Sequence, residues 1–230
     1  AGQGDPLVYE YHDKLFQSWI EPWMRESPVS LLKRVLEGSI QEKLSLKKPL
    51  YSYFGSALSF LEDLEKAGYD RHKINAVLCT HLHVDHVGWN TNLVNGEWLP
   101  TFPNATYYMN KTEYEFWNLS ETDKTGLEFN ANVFDDSILP VFDRGLVELW
   151  DGDGCQVDDS LRLELKPGHT PGHAIGWLES KGERGLLSGD SMHSPVQVYR
   201  PEWNSGFCLD AEGSIASRRS VLEAAVEANA

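Results

Sequence analysis

Three histidines and one aspartate lie within six residues of this chain, at His81, His83, Asp85 and His86. Imidazole is the commonest protein ligand for zinc and similar ions, and a carboxylate suits harder ions. The apolar segment 77–79 directly precedes the cluster, so the histidines follow the end of a predicted strand. Since a strand end gives a loop rigid support, this spacing predicts a metal centre rather than a chance group of loop histidines.

Two further segments of the sequence supply the same kinds of ligand. His169 and His173 lie in a Gly/Pro-rich loop that follows the apolar–polar alternation at 161–165. Asp190 follows another apolar run, at 184–188. Three separate predicted strands therefore each end in a residue that can bind a metal. This agreement is stronger evidence for a metal centre than any one segment alone.

Together these residues resemble the metal-binding motifs of the metallo-β-lactamase fold superfamily. The matching residues are His81, His83, Asp85, His86, His169 and Asp190. The resemblance runs from about Phe60 to the C-terminus. Within the superfamily the sequence is similar to the lactonase and organophosphate-hydrolase-like branch, in segments 85–91 and 201–205.

The resemblance implies an α+β fold, a metallo-β-lactamase-like αββα sandwich in which helices cover two packed sheets. Residues 56–230 would form this domain. Residues 1–55 predict an atypical helical N-terminal segment in place of the family's first strands. The family's final metal-site histidine has no counterpart, because no histidine follows His193. We therefore expect a sandwich that is incomplete, lacking its final C-terminal segment, with a weak second metal site.

The first predicted metal position is a face of three imidazoles. His81 and His83 are two residues apart on an extended segment, so their side chains point to the same side. With His169 they form a set of three nitrogen ligands that leaves one position open for water. This arrangement is typical of catalytic rather than structural zinc sites.

The second predicted position is made of the more acidic ligands. Asp85 and His86 contribute to it, and the Asp190 carboxylate bridges the two ions. We expect two divalent metal ions, with zinc as the first choice and manganese or iron as alternatives. Asp85 is also the predicted catalytic residue, because its carboxylate is placed to orient a metal-bound hydroxide or to accept its proton.

These ligands predict a metal-dependent hydrolase that uses a metal-bound hydroxide on a small ester, lactone or related substrate. A thioester hydrolase of the glyoxalase II kind shares the same ligands and remains an alternative. A single-iron persulfide dioxygenase, which has a similar site, is another. The third alternative is a metal-binding fragment without turnover.

Composition narrows the class of protein and its partners. The 230 residues are 41% hydrophobic, which suits one domain with a sizeable core. The net charge of −15 opposes binding to a phosphate backbone, so a small-molecule substrate and no nucleic acid are expected. No apolar run is long enough to span a membrane, and the oligomeric state stays open. Three scattered cysteines and no signal peptide favour a cytoplasmic protein.

Several other side chains carry weaker expectations. His173 is predicted to be a hydrogen-bonded anchor of its loop, whereas His193 could lie either beside the metal centre or on the surface. Candidates for substrate walls are Trp89, Asn90 and Trp203. Arg218 is assigned to the polar face of the last helix.

The coarse secondary structure follows from apolar periodicity. Strands are predicted at 75–80, 105–109, 146–150, 161–165, 174–178 and 184–188. Helices are predicted at 56–67, 111–119, 127–139 and 214–230, with a solvated hairpin turn at 151–154.

Overall fold

The computed structural model describes residues 60–118, 127, 130 and 132–230, which include all six predicted metal ligands. The predicted helical segment 1–55 lies outside the described residues. In the described part of the chain no helix is both long and apolar enough to cross a membrane.

The described strands are mostly short; six of the nine lie at the predicted positions, whereas β2, β3 and β6 were not predicted. They are β1 (Ala76–Leu78), β2 (Thr91–Val94), β3 (Glu97–Pro100), β4 (Thr106–Asn110), β5 (Val147–Trp150), β6 (Gly154–Gln156), β7 (Leu161–Leu165), β8 (Ala174–Ser180) and β9 (Glu183–Leu187).

Six α-helices lie among the described residues, and only the last is long. They are α1 (Phe60–Lys66), α2 (Val84–Val87), α3 (Lys111–Trp117), α4 (Leu139–Phe142), α5 (Val196–Tyr199) and α6 (Ala211–Ala228). A π-helical turn, Phe134–Ile138, leads into α4. The helix predicted at 127–139 is thus described only in its C-terminal part.

The strands form two main sheets of different character. In the first, β1, β4 and β5 run parallel in the order β1-β4-β5, whereas β6 to β9 form an antiparallel meander. Side chains on β4 alternate between the two faces of its sheet, because successive residues of a strand point to opposite sides. Tyr107 and Met109 are fully buried on the helix-covered face, while Tyr108 faces the other sheet.

The two sheets pack face to face, with helices outside both. Between the sheets, Tyr108 and Trp150 belong to the same buried cluster as Leu163 and Ala174. The outer face of the first sheet is covered by α1 and α3. The outer face of the meander is covered by α6, whose Val221 packs with Ile175 and Trp177. This order of layers is the predicted αββα sandwich.

Two local features differ from the prediction. The exposed turn at 151–154 is not a hairpin turn, because β5 and β6, which it joins, belong to different sheets. A true hairpin, β2–β3, was not predicted. Its turn residues are Asn95 and Gly96, both with positive φ. Asn-Gly is the preferred pair for a two-residue hairpin turn, so this signal was present in the sequence.

Candidate metal centre

The predicted ligands lie in loops at the ends of β1, β7 and β9, and these loops meet at one edge of the sandwich. The loop after β1 carries His81 and His83, and the loop after β7 carries His169. A main-chain hydrogen bond of 2.8 Å from the Ala174 N–H to the Thr80 carbonyl joins the two loops. The ligands from both sheets are therefore held by backbone as well as by side chains.

The first cluster contains three buried histidines whose ring nitrogens converge. His169 Nε2 lies 3.2 Å from His81 Nε2 and 2.9 Å from His83 Nδ1. The three residues are at most 4% exposed. On the far side of its ring, His81 Nδ1 contacts the Thr80 hydroxyl at 3.1 Å, which turns Nε2 toward the cluster.

The donor set of this cluster fits a divalent ion. Nitrogens bound to one tetrahedral zinc lie about 3.3 Å apart, given zinc–nitrogen bonds of about 2.0 Å. One proton on His169 Nε2 can satisfy only one of its two nitrogen neighbours, whereas a cation satisfies all three. Burial, followed by the neighbouring histidines, lowers the pKa of His169 to about 3. Burial likewise lowers the pKa of His83 to about 4, so both rings are neutral, as a metal ligand must be.

The second cluster is centred on the Asp190 carboxylate. One oxygen, Oδ1, lies 3.2 Å from His86 Nε2. The other, Oδ2, lies 3.5 Å from His169 Nε2 and 3.3 Å from His193 Nε2. Donor atoms of His81, His86 and Asp190 all lie within 4.8 Å of one another. Asp190 therefore contacts residues of both clusters, as a bridging ligand must.

The electrostatics of Asp190 favour its ionised form. Burial alone would raise the pKa of Asp190, but hydrogen bonds from His193 and His86 outweigh it and hold the pKa far below its ordinary value. Burial opposes a charge on His86, yet the contact with Asp190 raises the pKa of His86 overall. The two shifts share one cause, the 3.2 Å contact between His86 Nε2 and Asp190 Oδ1, which favours a proton on the histidine and a charge on the carboxylate.

Asp85 lies at the open side of the centre, in the first turn of α2. Its Oδ2 is 3.6 Å from His86 Nε2, and its side chain is 53% exposed. Asp85 is not a member of any donor group within 4.8 Å among the described residues. Its roles as a ligand and as the catalytic residue therefore stay predictions.

His173 is a structural anchor, as predicted, and it fixes the backbone of Asp190. Its Nδ1 contacts the Lys166 carbonyl at 3.0 Å, and its Nε2 accepts the Asp190 N–H at 3.0 Å. Burial lowers the pKa of His173 to about 4, so Nε2 is free of a proton and can accept. Gly189 has φ +49°, and a Cβ there would lie 2.7 Å from His173 Nε2. Only glycine suits this position.

The structure corrects the expectation for Arg218, which is fully buried rather than on a polar face. It clamps the segment that follows Asp190. Its guanidinium donates to the carbonyl oxygens of Ser191, Pro201 and Trp203, and to side-chain oxygens of Asn204 and Ser214. The periodicity of a helix does not distinguish a buried, fully hydrogen-bonded arginine from an exposed one.

Two more residues beside the centre were not predicted as part of it. Cys208 Sγ lies 3.5 Å from His169 Nδ1, behind the ring, and also contacts the Ser214 hydroxyl at 3.2 Å. Glu113, on α3, is buried between the loops that carry the first cluster. Neither residue belongs to a recognisable motif, so only their positions in the fold connect them to the site.

The candidate wall residues have different outcomes. Asn90 is wrong as a substrate wall, because it is 3% exposed and contacts Cys79. Trp89 is half-buried and its ring lies 5.4 Å from that of Phe60. Trp203 is 37% exposed and stays a candidate.

Comparison with known sequences gives relatives of one kind. A lactonase from Bacillus sp., named N-acyl homoserine lactonase, is 27% identical over 161 residues, covering 70% of this chain and 54% of the relative. The N-acyl homoserine lactonase AttM of Agrobacterium fabrum is 27% identical over 139 residues, covering 55% of this chain and 44% of the relative. The chain thus spans about half the length of the curated relatives it matches.

Solved structures agree with these relatives. The hydrolase AbOPH of the beta-lactamase superfamily superposes with a TM-score of 0.60 at 29% identity, over 71% of this chain and 57% of that one. AidC, described as a dizinc quorum-quenching lactonase in complex with a product, superposes with a TM-score of 0.59 at 25% identity, over 74% and 59%.

The family itself is shown by a match over most of the chain. The family model described as the metallo-beta-lactamase superfamily matches residues 50–227, a range that includes every predicted ligand of both clusters. The αββα layers and the ligand loops at one edge agree with that match. This chain belongs to the metallo-beta-lactamase superfamily.

Proposed function

We propose that this chain carries the centre of a metal-dependent hydrolase that hydrolyses small lactones or esters. The observation that supports this most directly is the convergence of His81, His83 and His169 beside an Asp190 carboxylate that also contacts His86. Relatives named as lactonases and hydrolases support the same reaction class. Two divalent ions, zinc before manganese or iron, fit the two adjacent donor groups.

In this proposal the chain's residues have separate tasks. Divalent ions bound there would polarise a carbonyl oxygen and acidify water. The buried histidines of the first cluster hold their nitrogens in place without competition from solvent. Asp85 is exposed at the opening, where its carboxylate can take the proton that the attacking water loses. Asp190, which is held ionised and contacts both His86 and His169, would contribute its carboxylate to both ions.

Exposed aromatic side chains in the chain segment that reaches the centre support a substrate with a hydrocarbon part. The Leu209 N–H donates to the His169 carbonyl at 2.9 Å, which places this part of the chain beside the first cluster. Exposed aromatic side chains lie in the same segment, at Tyr199, Trp203 and Phe207. Apolar and aromatic lining with a few polar groups is usual in small-molecule sites. We therefore propose an acylated lactone as the first substrate to test.

The test is turnover by the 230-residue chain after loading with zinc. Rates should be measured on N-acyl homoserine lactones of several chain lengths, simple aryl esters, a thioester, and a persulfide with oxygen. We expect lactone or ester hydrolysis that disappears in His169→Ala. Hydrolysis of the thioester alone would favour the glyoxalase II-like alternative, and oxygen consumption with iron would favour the dioxygenase. Ester and lactone rates equal to those of His169→Ala would reject the proposal.

A further inference from the structure

A buried carboxylate lies between the two loops that carry the first cluster. Glu113, in the first turn of α3, is 1% exposed. Burying a charged group is costly unless hydrogen bonds or an opposite charge compensate it. Within the described part of the chain, the side-chain oxygens of Glu113 contact uncharged donors from both loops and from its own helix.

One carboxylate oxygen holds the loop after β1. Glu113 Oε1 accepts the Leu82 N–H at 3.0 Å, and Leu82 is the residue between His81 and His83. The same oxygen accepts Trp117 Nε1–H at 2.7 Å. The Trp117 ring packs edge-on against the His83 ring, with centroids 5.4 Å apart. Glu113 thus acts on His83 in two ways. It holds the backbone of the preceding residue, Leu82, and it holds the Trp117 ring that packs against His83.

The other oxygen holds the loop after β7. Glu113 Oε2 accepts the Gly172 N–H at 2.9 Å, three residues beyond His169. The loop lies directly on α3, because a Cβ added at Gly172 would be 2.5 Å from both the backbone nitrogen and the Cβ of Glu113. A single side chain therefore sets the separation of two loops that are far apart in sequence.

The contacts of Glu113 favour the ionised carboxylate. Burial raises the pKa of Glu113 above its ordinary value, while hydrogen bonds from Leu82, Trp117 and Gly172 oppose that rise. Each of these groups donates, so a proton on Glu113 would displace a hydrogen bond rather than form one. In a glutamine at this position, the side-chain NH2 would replace one carboxylate oxygen and face a backbone or indole N–H. Two hydrogen-bond donors would then face each other, and neither would have an acceptor.

We propose that Glu113 is a positioning residue for the metal centre, one that holds the loops of His81, His83 and His169 at the separation at which their nitrogens converge. It does not contact the metal or the substrate. Partners that orient ligands from outside the coordination shell typically change metal affinity by about 10- to 100-fold when removed. The inference rests on the metal centre of the proposed function but not on the reaction or its substrate.

The experiment compares Glu113→Gln with Glu115→Gln in the 230-residue chain. Glu115 is on the same helix with a 64% exposed side chain, so it is a matched control. Affinity for the first zinc ion is measured by competition with a chromophoric chelator, and folding is checked by circular dichroism and by denaturant unfolding in EDTA. We expect zinc affinity to fall about 10- to 100-fold in folded Glu113→Gln and to stay unchanged in Glu115→Gln.

The result separates positioning from a purely structural role. If Glu113 only stabilises the fold, Glu113→Gln lowers the unfolding midpoint, but the folded protein binds zinc within about threefold of the parent, and the proposal is overturned. Absorption of bound cobalt gives a second readout, because displaced histidines change its visible spectrum. Unaltered cobalt spectra together with unchanged affinity would have the same meaning, whatever the protein hydrolyses.

A milder variant covers the case in which Glu113→Gln does not fold. Trp117→Phe keeps a ring against His83 but removes the 2.7 Å hydrogen bond to Glu113 Oε1. We expect zinc affinity to fall in this variant by several-fold, less than in Glu113→Gln. Parental affinity in a folded Trp117→Phe, with an unchanged cobalt spectrum, would overturn the proposal in that case.

Discussion

The two candidate metal positions are built in opposite ways. The first has three imidazoles, each at most 4% exposed, packed in the interior and held from behind by Glu113. The second depends on side chains that are 21% exposed at Asp190, 28% at His86 and 53% at Asp85. Burial favours neutral ligands in a fixed arrangement, whereas exposure leaves charged ligands that can exchange protons and move. We therefore expect the first position to bind firmly and the second to take part in chemistry.

The largest expected effect is on the buried position. His169→Ala removes one of the three converging nitrogens. Zinc binding to four-ligand sites is worth about 10–16 kcal/mol, so losing one ligand should cost about 3 kcal/mol, or roughly a hundredfold in affinity. Elemental analysis after dialysis and chelator competition would measure this. Unchanged zinc content and affinity would show that His169 is not a ligand of the first position.

A second prediction concerns how the buried histidines respond to acid in the metal-free protein. The pKa of His83 and of His173 is lowered from 6.5 to about 4 in the folded chain. As the pH falls, these histidines therefore become protonated in the unfolded chain before they do so in the folded chain. The contribution of these histidines to the free energy of unfolding should be fully present above pH 6.5 and be lost as the pH drops from 6.5 toward 4. His173 alone should contribute on the order of 3 kcal/mol to this loss.

Urea unfolding in EDTA at pH 7.5 and pH 5 tests this dependence. His173→Gln should flatten it, whereas His72→Gln, which changes an exposed histidine, should leave it unaltered. Equal pH dependence in His173→Gln and the parent would mean that this histidine is not held neutral by burial.

The third prediction addresses the exposed position and its carboxylate. Asp85→Asn keeps the shape of the side chain but removes its charge and basicity. Turnover of the best lactone or ester substrate should fall more than tenfold, over 1.4 kcal/mol, with little change in the thermal midpoint. Activity within tenfold of the parent would exclude Asp85 as the proton acceptor. It would also weaken the expectation that the exposed position takes part in chemistry while the buried position binds firmly.

The smallest expected effect is the difference in zinc affinity between the two metal positions. Calorimetric titration with zinc should show two steps, with the second about tenfold weaker, because its ligands are more exposed and retain bound water. His83→Gln should mainly affect the first step and His86→Gln the second. Two steps of equal affinity would contradict the comparison, and would direct attention to His193, which contacts Asp190 at 3.3 Å.

The convergence of the candidate ligands was predictable from sequence because each follows a strand whose apolar pattern is clear. His81, His83, His169 and Asp190 meet in the fold since the strands before them end at the same edge. The αββα order of layers followed from the resemblance that those ligands carry. These parts of the prediction depend on local sequence and on strand ends, which a single chain displays directly.

The supporting residues were not predictable in this way. Glu113 lies in an ordinary-looking helical segment, and Arg218 lies on a helix whose periodicity suggested a polar face. Their roles arise from contacts with loops about 30 to 60 residues away for Glu113, and with the segment 191–204 for Arg218. Asn90 was misassigned for a similar reason, since its burial against Cys79 is a property of the packed interior.

The main-chain hydrogen bond from Ala174 to Thr80, which joins the two sheets, has a consequence for how the protein folds. His81 and His169 are 88 residues apart, so we expect their nitrogens to meet only after both sheets have formed and docked. Closing a loop of that length is a late event, because its entropic cost must be met before the contact forms. The appearance of the cobalt spectrum during refolding should therefore follow the recovery of helix and strand signals, and metal binding would report on the last step of assembly.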